Sequence, residues 1–237
     1  MGKLGERGGI ALAARTGEAL AAAGDVRALL TRTELARADA LRSAGDRDDF
    51  LAAHALVRLC AGRLLGCPAQ SLTVVQSCGQ CDRPHGRPRL VESPGLGVSF
   101  AHTRGWVAAV AAHGPVGIDV EADGGGPLDW RLAQLACNER ELAALRAHPD
   151  PRRAFLRQWV RKESLVKVGV ASLDELGCLD VPVYGDEAPR WRDWRLTDWR
   201  LTDWGGGGAV GCVAAREHVR LRLLGPVRPH AGLACPQ

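Results

Sequence analysis

The chain of 237 residues carries 31 Lys and Arg against 27 Asp and Glu, a net charge of +4, with 46% apolar residues and eight cysteines. So mild a charge argues against a nucleic-acid binder with a long basic stripe, and the scattered cysteines are too sparse for a disulfide-stapled secreted scaffold. No apolar run approaches the length that spans a bilayer, and Arg15, Glu18, Asp25 and Arg27 interrupt the N-terminal alanines before a signal-peptide core develops, so a cytoplasmic protein with reduced thiols is expected.

Gly9 to Ala14 is a short apolar start. From Glu18 to about Ala44, Ala, Leu and Arg recur at helical spacing, broken by Gly24 and Gly45, which predicts two helices. Apolar residues from Asp48 to Leu65 predict an amphipathic core helix ending near Gly66 and Pro68. Strand-like runs follow at 72–76, 89–92, 98–102, 106–112 and 116–121, with turns at Thr103-Arg104-Gly105 and His113-Gly114-Pro115. Beyond a glycine-rich loop at 123–127, helices are predicted over 129–136, 139–147 (with Asn138 as its cap) and 152–168. Strands return at 179–183, 191–199, 208–216 and 219–224.

Helices followed by strands, twice over, predict an α+β protein of two similar halves, residues 1–112 and 113–224, with a loose tail at 225–237. Asp-Trp-Arg-Leu-Thr occurs at 193–197 and again at 198–202; duplication within a hairpin explains it better than an exposed stacking array. Cys78 and Cys81 with His85 look like half a zinc site, but no second pair lies at a suitable distance, so structural thiols are the better reading.

Only Lys3, Lys162 and Lys167 are lysine, and the rest of the basic residues are arginine. That skew reads as drift toward arginine wherever it is tolerated, so the two lysines in one ten-residue segment mark sites that need a compact ammonium. Between them stands Glu163. Alternate residues of a strand share a face, so Asp119 and Glu121 present two carboxylates together. Alone they could be a polar strand edge, and Glu163 with Lys167 could be a surface ion pair one helical turn apart. Three carboxylates with lysine nearby are what a divalent-metal reaction at a phosphate requires, the metal taking oxygens of protein and phosphate together.

Gly117-Ile-Asp-Val-Glu121, followed by Trp159-Val-Arg-Lys-Glu-Ser-Leu-Val-Lys167, resembles the paired signatures of 4′-phosphopantetheinyl transferases, of the broad-specificity kind serving polyketide and peptide synthases. His85-Gly-Arg-Pro-Arg-Leu and Val98-Ser-Phe-Ala-His-Thr-Arg-Gly-Trp-Val resemble two upstream segments of that family. The resemblance implies a pseudo-symmetric monomer with coenzyme A between its halves and Mg2+ or Mn2+ on the pyrophosphate. It implies Asp119, Glu121 and Glu163 as metal ligands, Glu163 also as general base, Lys167 on the pyrophosphate with Lys162 beside it, and His102 on the 3′-phosphate. The partner implied is an apo acyl or peptidyl carrier protein, with no nucleic acid or membrane. Three positions depart from the pattern: Ala101 stands where the family has Ser, Arg87 where it has Lys, and Asp49 where an arginine is expected, leaving Arg47 as substitute. A metal-dependent phosphodiesterase or nuclease, and a non-catalytic binder of coenzyme A or carrier protein, are the competing readings.

Overall fold

A computed structural model describes residues 8–77, 81, 86–183, 188–191, 194–195 and 200–225. Strand β1 (Gly9–Arg15) leads into α1 (Thr16–Ala23), α2 (Val26–Leu29), α3 (Arg32–Asp39) and the long α4 (Ala44–Leu65). Where two helices were expected before α4 there are three. Gly24, at φ 68, ends the first, and Thr31 starts the third with a reciprocal cap to Glu34. Strands β2 (Val74–Gln76), β3 (Pro88–Leu90), β4 (Leu96–Thr103) and β5 (Trp106–His113) follow, then β6 (Val116–Ala122). Helices α5 (Trp130–Ala136), α6 (Glu139–Ala147) and α7 (Pro151–Val168) lead to the short strands β7 (Leu179–Asp180), β8 (Arg190–Trp191) and β9 (Trp194–Arg195). The chain closes on β10 (Arg200–Gly206), β11 (Ala209–Ala215) and β12 (Val219–Leu223). The second copy of the duplicated pentapeptide enters β10, a strand the sequence reading did not predict, while the run predicted at 191–199 meets the short strands β8 and β9, with residues 192–193 and 196–199 outside the described residues. Cys78 and His85 also lie outside them.

The strands form a four-stranded sheet, β12-β1-β5-β4, and a three-stranded sheet, β10-β11-β6, besides smaller β2-β3 and β7-β8-β9 ladders. Strand alternation decides what covers each face. Ala11 and Ala13 of β1 join Val110, Ile118, Val120 and Val213 in one cluster between the two larger sheets, while Leu12 and Ala14 join Ala53, Leu56, Val57 and Cys60 of α4. On the other sheet, Val210 and Cys212 meet Val160 of α7, and Ala214 meets Leu165. The layers therefore run α4, sheet, sheet, α7. The expected boundary near residue 113 needs one correction: β12 pairs parallel with β1, so the end of the chain completes the first sheet.

Glycine lets α7 approach β6. A Cβ on Gly117 would fall on the carbonyl oxygen of Ser164, a backbone atom that cannot swing away. Gly117→Ala is expected to cost about 1–3 kcal/mol in urea unfolding and to lower activity with it, because α7 must retreat from the strand it faces. Sequence signals fix the ends of α7 itself. Asp150 accepts from the Arg153 N–H at 3.0 Å, Pro151 starts the helix, and Gly169 at φ 84 stops it.

A buried polar network ties α3 to α4. Arg58, fully buried, donates to Glu34 at 2.7 and 3.0 Å and to the Leu72 carbonyl at 3.2 Å, and His54 Nδ1 donates to Glu34 Oε1 at 2.7 Å. Burial alone would raise the Glu34 pKa, but His54 and Arg58 together hold it down to about 2. Cys60, Cys67, Cys137, Cys178 and Cys212 are free thiols. Burial pushes the thiols of Cys60 and Cys137 up to about 12, as expected of structural rather than reactive groups.

Candidate active site

Strands β4 and β6 run side by side, held by the Ile118 N–H donating to Ser99 Oγ at 3.2 Å, and a cleft opens along their junction. Its first compartment, about 310 Å³, is lined by Arg37, Phe50, His102, Asp119, Glu121 and Lys167 among others. A second, about 570 Å³, shares Gln76, Phe100 and Lys167 with the first and continues past Arg87 and Pro88. Residues of α3, α4, β4, β6 and α7 thus contribute to one groove, with Lys167 at the join.

The carboxylates stand where the alternation of β6 predicts. Ile118 and Val120 face the core between the sheets, while Asp119 and Glu121 face the side that α7 covers. Lys167 Nζ lies 2.6 Å from Asp119 Oδ1 and donates to the Ile118 carbonyl at 2.9 Å, so its ion pair reaches across to β6 instead of along the helix to Glu163. Asp119 Oδ2 is buried and, among the described residues, has no hydrogen-bond partner. Burial raises the Asp119 pKa against the opposing pull of Lys167. Glu121 accepts from Thr103 Oγ1 at 3.3 Å, yet burial and then the charge of Asp119 raise its pKa. Burial also raises Glu163, followed by Asp119, with Glu121 adding a smaller push. Three carboxylates that disfavour one another's charge form one electrostatic unit.

These residues fit a divalent metal by chemistry: hard oxygen donors, excess negative charge and an orphaned buried oxygen on Asp119. They do not form a closed cage. Among the described residues no three His, Cys, Asp or Glu side chains are already gathered around one point, so an ion would have to draw these carboxylates together.

At the other end of the groove the sequence reading needs revision. His102 is exposed there; the surrounding walls thin its hydration and lower its pKa, Lys167 adds to this, and Asp49 opposes it. Arg87 is exposed beside the end of α7, where a Cβ on Gly169 would meet its guanidinium. Arg47, expected to contact coenzyme A, instead donates to the Leu41 carbonyl at 2.9 Å and the Ala38 carbonyl at 3.4 Å, closing the end of α3. Asp49 is a scaffold residue. It accepts from Thr16 Oγ1 and from the Gly105 N–H at 3.1 Å, tying α1 and the β4–β5 turn to α4. Ala101 packs in the cluster between the sheets, so its side chain belongs to the core. Lys162, expected beside the pyrophosphate, is fully buried and bound to Glu141 at 2.6 Å and to the carbonyls of Ala136 and Leu176 at 2.7 and 2.9 Å.

One cation that lines this end is missed by the sequence reading. Arg37 lies 5.0 Å over the Phe50 ring and donates to Gln76 Oε1 at 2.8 Å. No local pattern sets it apart among so many arginines.

Residues 115–210 match the family model of the 4′-phosphopantetheinyl transferase superfamily. The matched stretch runs from β6 into β11 and contains Asp119, Glu121, Glu163 and Lys167, whereas Arg37, Arg87 and His102 precede it. The chain is also 26% identical over 146 residues to a Synechocystis sp. protein provisionally described as a 4′-phosphopantetheinyl transferase. That similarity covers 59% of this chain and 56% of the relative's length. Superfamily similarity thus falls on the carboxylate end of the groove. Among the described residues no helix is long and apolar enough to cross a membrane.

Proposed function

We propose that the protein is a 4′-phosphopantetheinyl transferase of the broad-specificity kind, moving phosphopantetheine from coenzyme A to a serine of an apo acyl or peptidyl carrier protein. The observation that carries this reading is the juxtaposition of Asp119, Glu121, Glu163 and Lys167 on facing surfaces of β6 and α7, inside the stretch that matches the superfamily. Asp119, Glu121 and Glu163 would hold a magnesium ion, which when bound supplies charge neutralisation at the pyrophosphate. Lys167 neutralises charge at the same end, and Arg37, Arg87 and His102 receive the nucleotide end, with Arg37 taking the part expected of Arg47.

Glu163 accepts the proton of the acceptor serine. The serine Oγ forms a bond to the β-phosphorus as the bond from that phosphorus to the bridging oxygen breaks, and 3′,5′-ADP departs with the bridging oxygen. A monomer suffices for this chemistry. The test is chromatographic: 3′,5′-ADP is expected to accumulate only with coenzyme A, Mg2+ and an apo carrier present together, and to stop on adding EDTA. Release of 3′,5′-ADP without any carrier would point instead to a phosphodiesterase; binding of coenzyme A without release would point to a non-catalytic binder.

A further inference from the structure

We propose that Lys162 is a positioning residue that sets the rotation of α7, and through it the aim of Glu163 and Lys167, and that it binds no substrate. The inference rests on the transferase reading only for its kinetic consequence. Each of the three ammonium protons has an acceptor from a different element: Glu141 on α6, the Ala136 carbonyl ending α5, and the Leu176 carbonyl of the 3-10 turn at Leu173–Cys178. Glu141 in turn accepts from the N–H groups of Asn138 at 2.9 Å and Val181 at 2.8 Å, so one ion pair gathers α5, α6, the 3-10 turn and the segment at Val181 behind α7. One turn earlier, Gln158 Nε2 donates to the Val181 carbonyl at 2.8 Å and repeats the tie.

On the other side α7 is pressed against Gly117 and bonded through Lys167 to β6. A helix clamped on both sides cannot roll, and Glu163, next in sequence to Lys162, projects about 100° around the axis from it. This also explains why lysine persists here in an arginine-rich chain. Three acceptors converge on one nitrogen, a geometry that the planar fork of a guanidinium cannot reproduce.

The test compares Lys162→Arg, Glu141→Gln and the double variant with wild type, well below their unfolding temperatures and normalised to folded protein by near-ultraviolet circular dichroism. Each single variant is expected to lose about 10- to 100-fold in kcat, the effect of a displacement of about 1 Å, with KM for coenzyme A within about threefold. The double variant should be no worse than the worse single one. A rise of about tenfold or more in KM at unchanged kcat, confined to Lys162→Arg, would make Lys162 a ligand and overturn the proposal. Unchanged kcat per folded molecule would reduce the pair to general stability and overturn it equally. Hydrogen exchange reads the clamp without any activity: Glu141→Gln should lower protection across α7 and β6 while sparing α4, and equal loss in all three would contradict the proposal. A wild-type protein that transfers nothing would sink the transferase reading alone, leaving exchange to decide the clamp.

Discussion

Glu163→Gln is expected to lower kcat by about 10³-fold while leaving the urea midpoint unchanged or slightly raised. Among the described residues the Glu163 side chain makes no hydrogen bond, so an isosteric amide breaks none. It also removes a charge that burial, Asp119 and Glu121 all disfavour, which works toward stability. What the amide loses is the capacity to take a proton and to serve as a strong anionic ligand. The pairing of near-complete inactivity with intact folding is therefore the signature of its assigned role. Asp119→Asn should behave differently, because it takes the anion from Lys167, 2.6 Å away, and should lower the midpoint as well as the activity. Near-normal turnover of Glu163→Gln would remove the base from the mechanism.

Glu34→Ala carries the largest expected effect on stability, a loss of about 3–5 kcal/mol in urea unfolding, because it leaves the buried Arg58 guanidinium without its anion. The same network predicts how stability falls in acid. The folded Glu34 pKa, about 2, lies below its ordinary value of 4.5, so its contribution is complete above about pH 4.5 and drains away as the pH falls toward 2. His54 acts in the same direction over a higher window. Burial lowers its pKa, so protonation below about pH 6.5 favours the unfolded chain. Unfolding midpoints measured between pH 7 and 3 should thus decline in wild type and decline less steeply below pH 4.5 in Glu34→Ala. Parallel slopes for the two proteins would contradict this account of the network.

What the sequence discloses is local. Asp150, Pro151 and Gly169 mark the ends of α7, Asn138 caps α6 as its position before Glu141 suggests, and the alternation of Ile118 and Val120 with Asp119 and Glu121 sorts β6 into two faces. What it conceals depends on partners far along the chain. Arg161, Lys162 and Glu163 look like one run of surface charge, yet Lys162 finds its acceptors 14 to 26 residues away, two of them backbone carbonyls that no residue pattern announces. Arg47 and Asp49 lie two positions apart at the start of α4, but tertiary contacts turn one to the end of α3 and the other to the β4–β5 turn. The parallel pairing of β12 with β1 joins the first and last described strands and has no local signature. The lysine census pointed to both members of the pair on α7, and the structure separates their reasons: Lys167 faces the groove, and Lys162 the packing behind it.

The central claim is that the carboxylates and lysine shared by β6 and α7 carry out group transfer onto a protein serine. Intact-mass measurement of an apo carrier protein, incubated with this protein, coenzyme A and Mg2+, tests it most directly. The account predicts a gain of one phosphopantetheine, located on a serine, and no gain with Glu163→Gln. Carriers of fatty-acid, polyketide and peptide type that all stay at their apo mass, with folded protein and metal present, would contradict it.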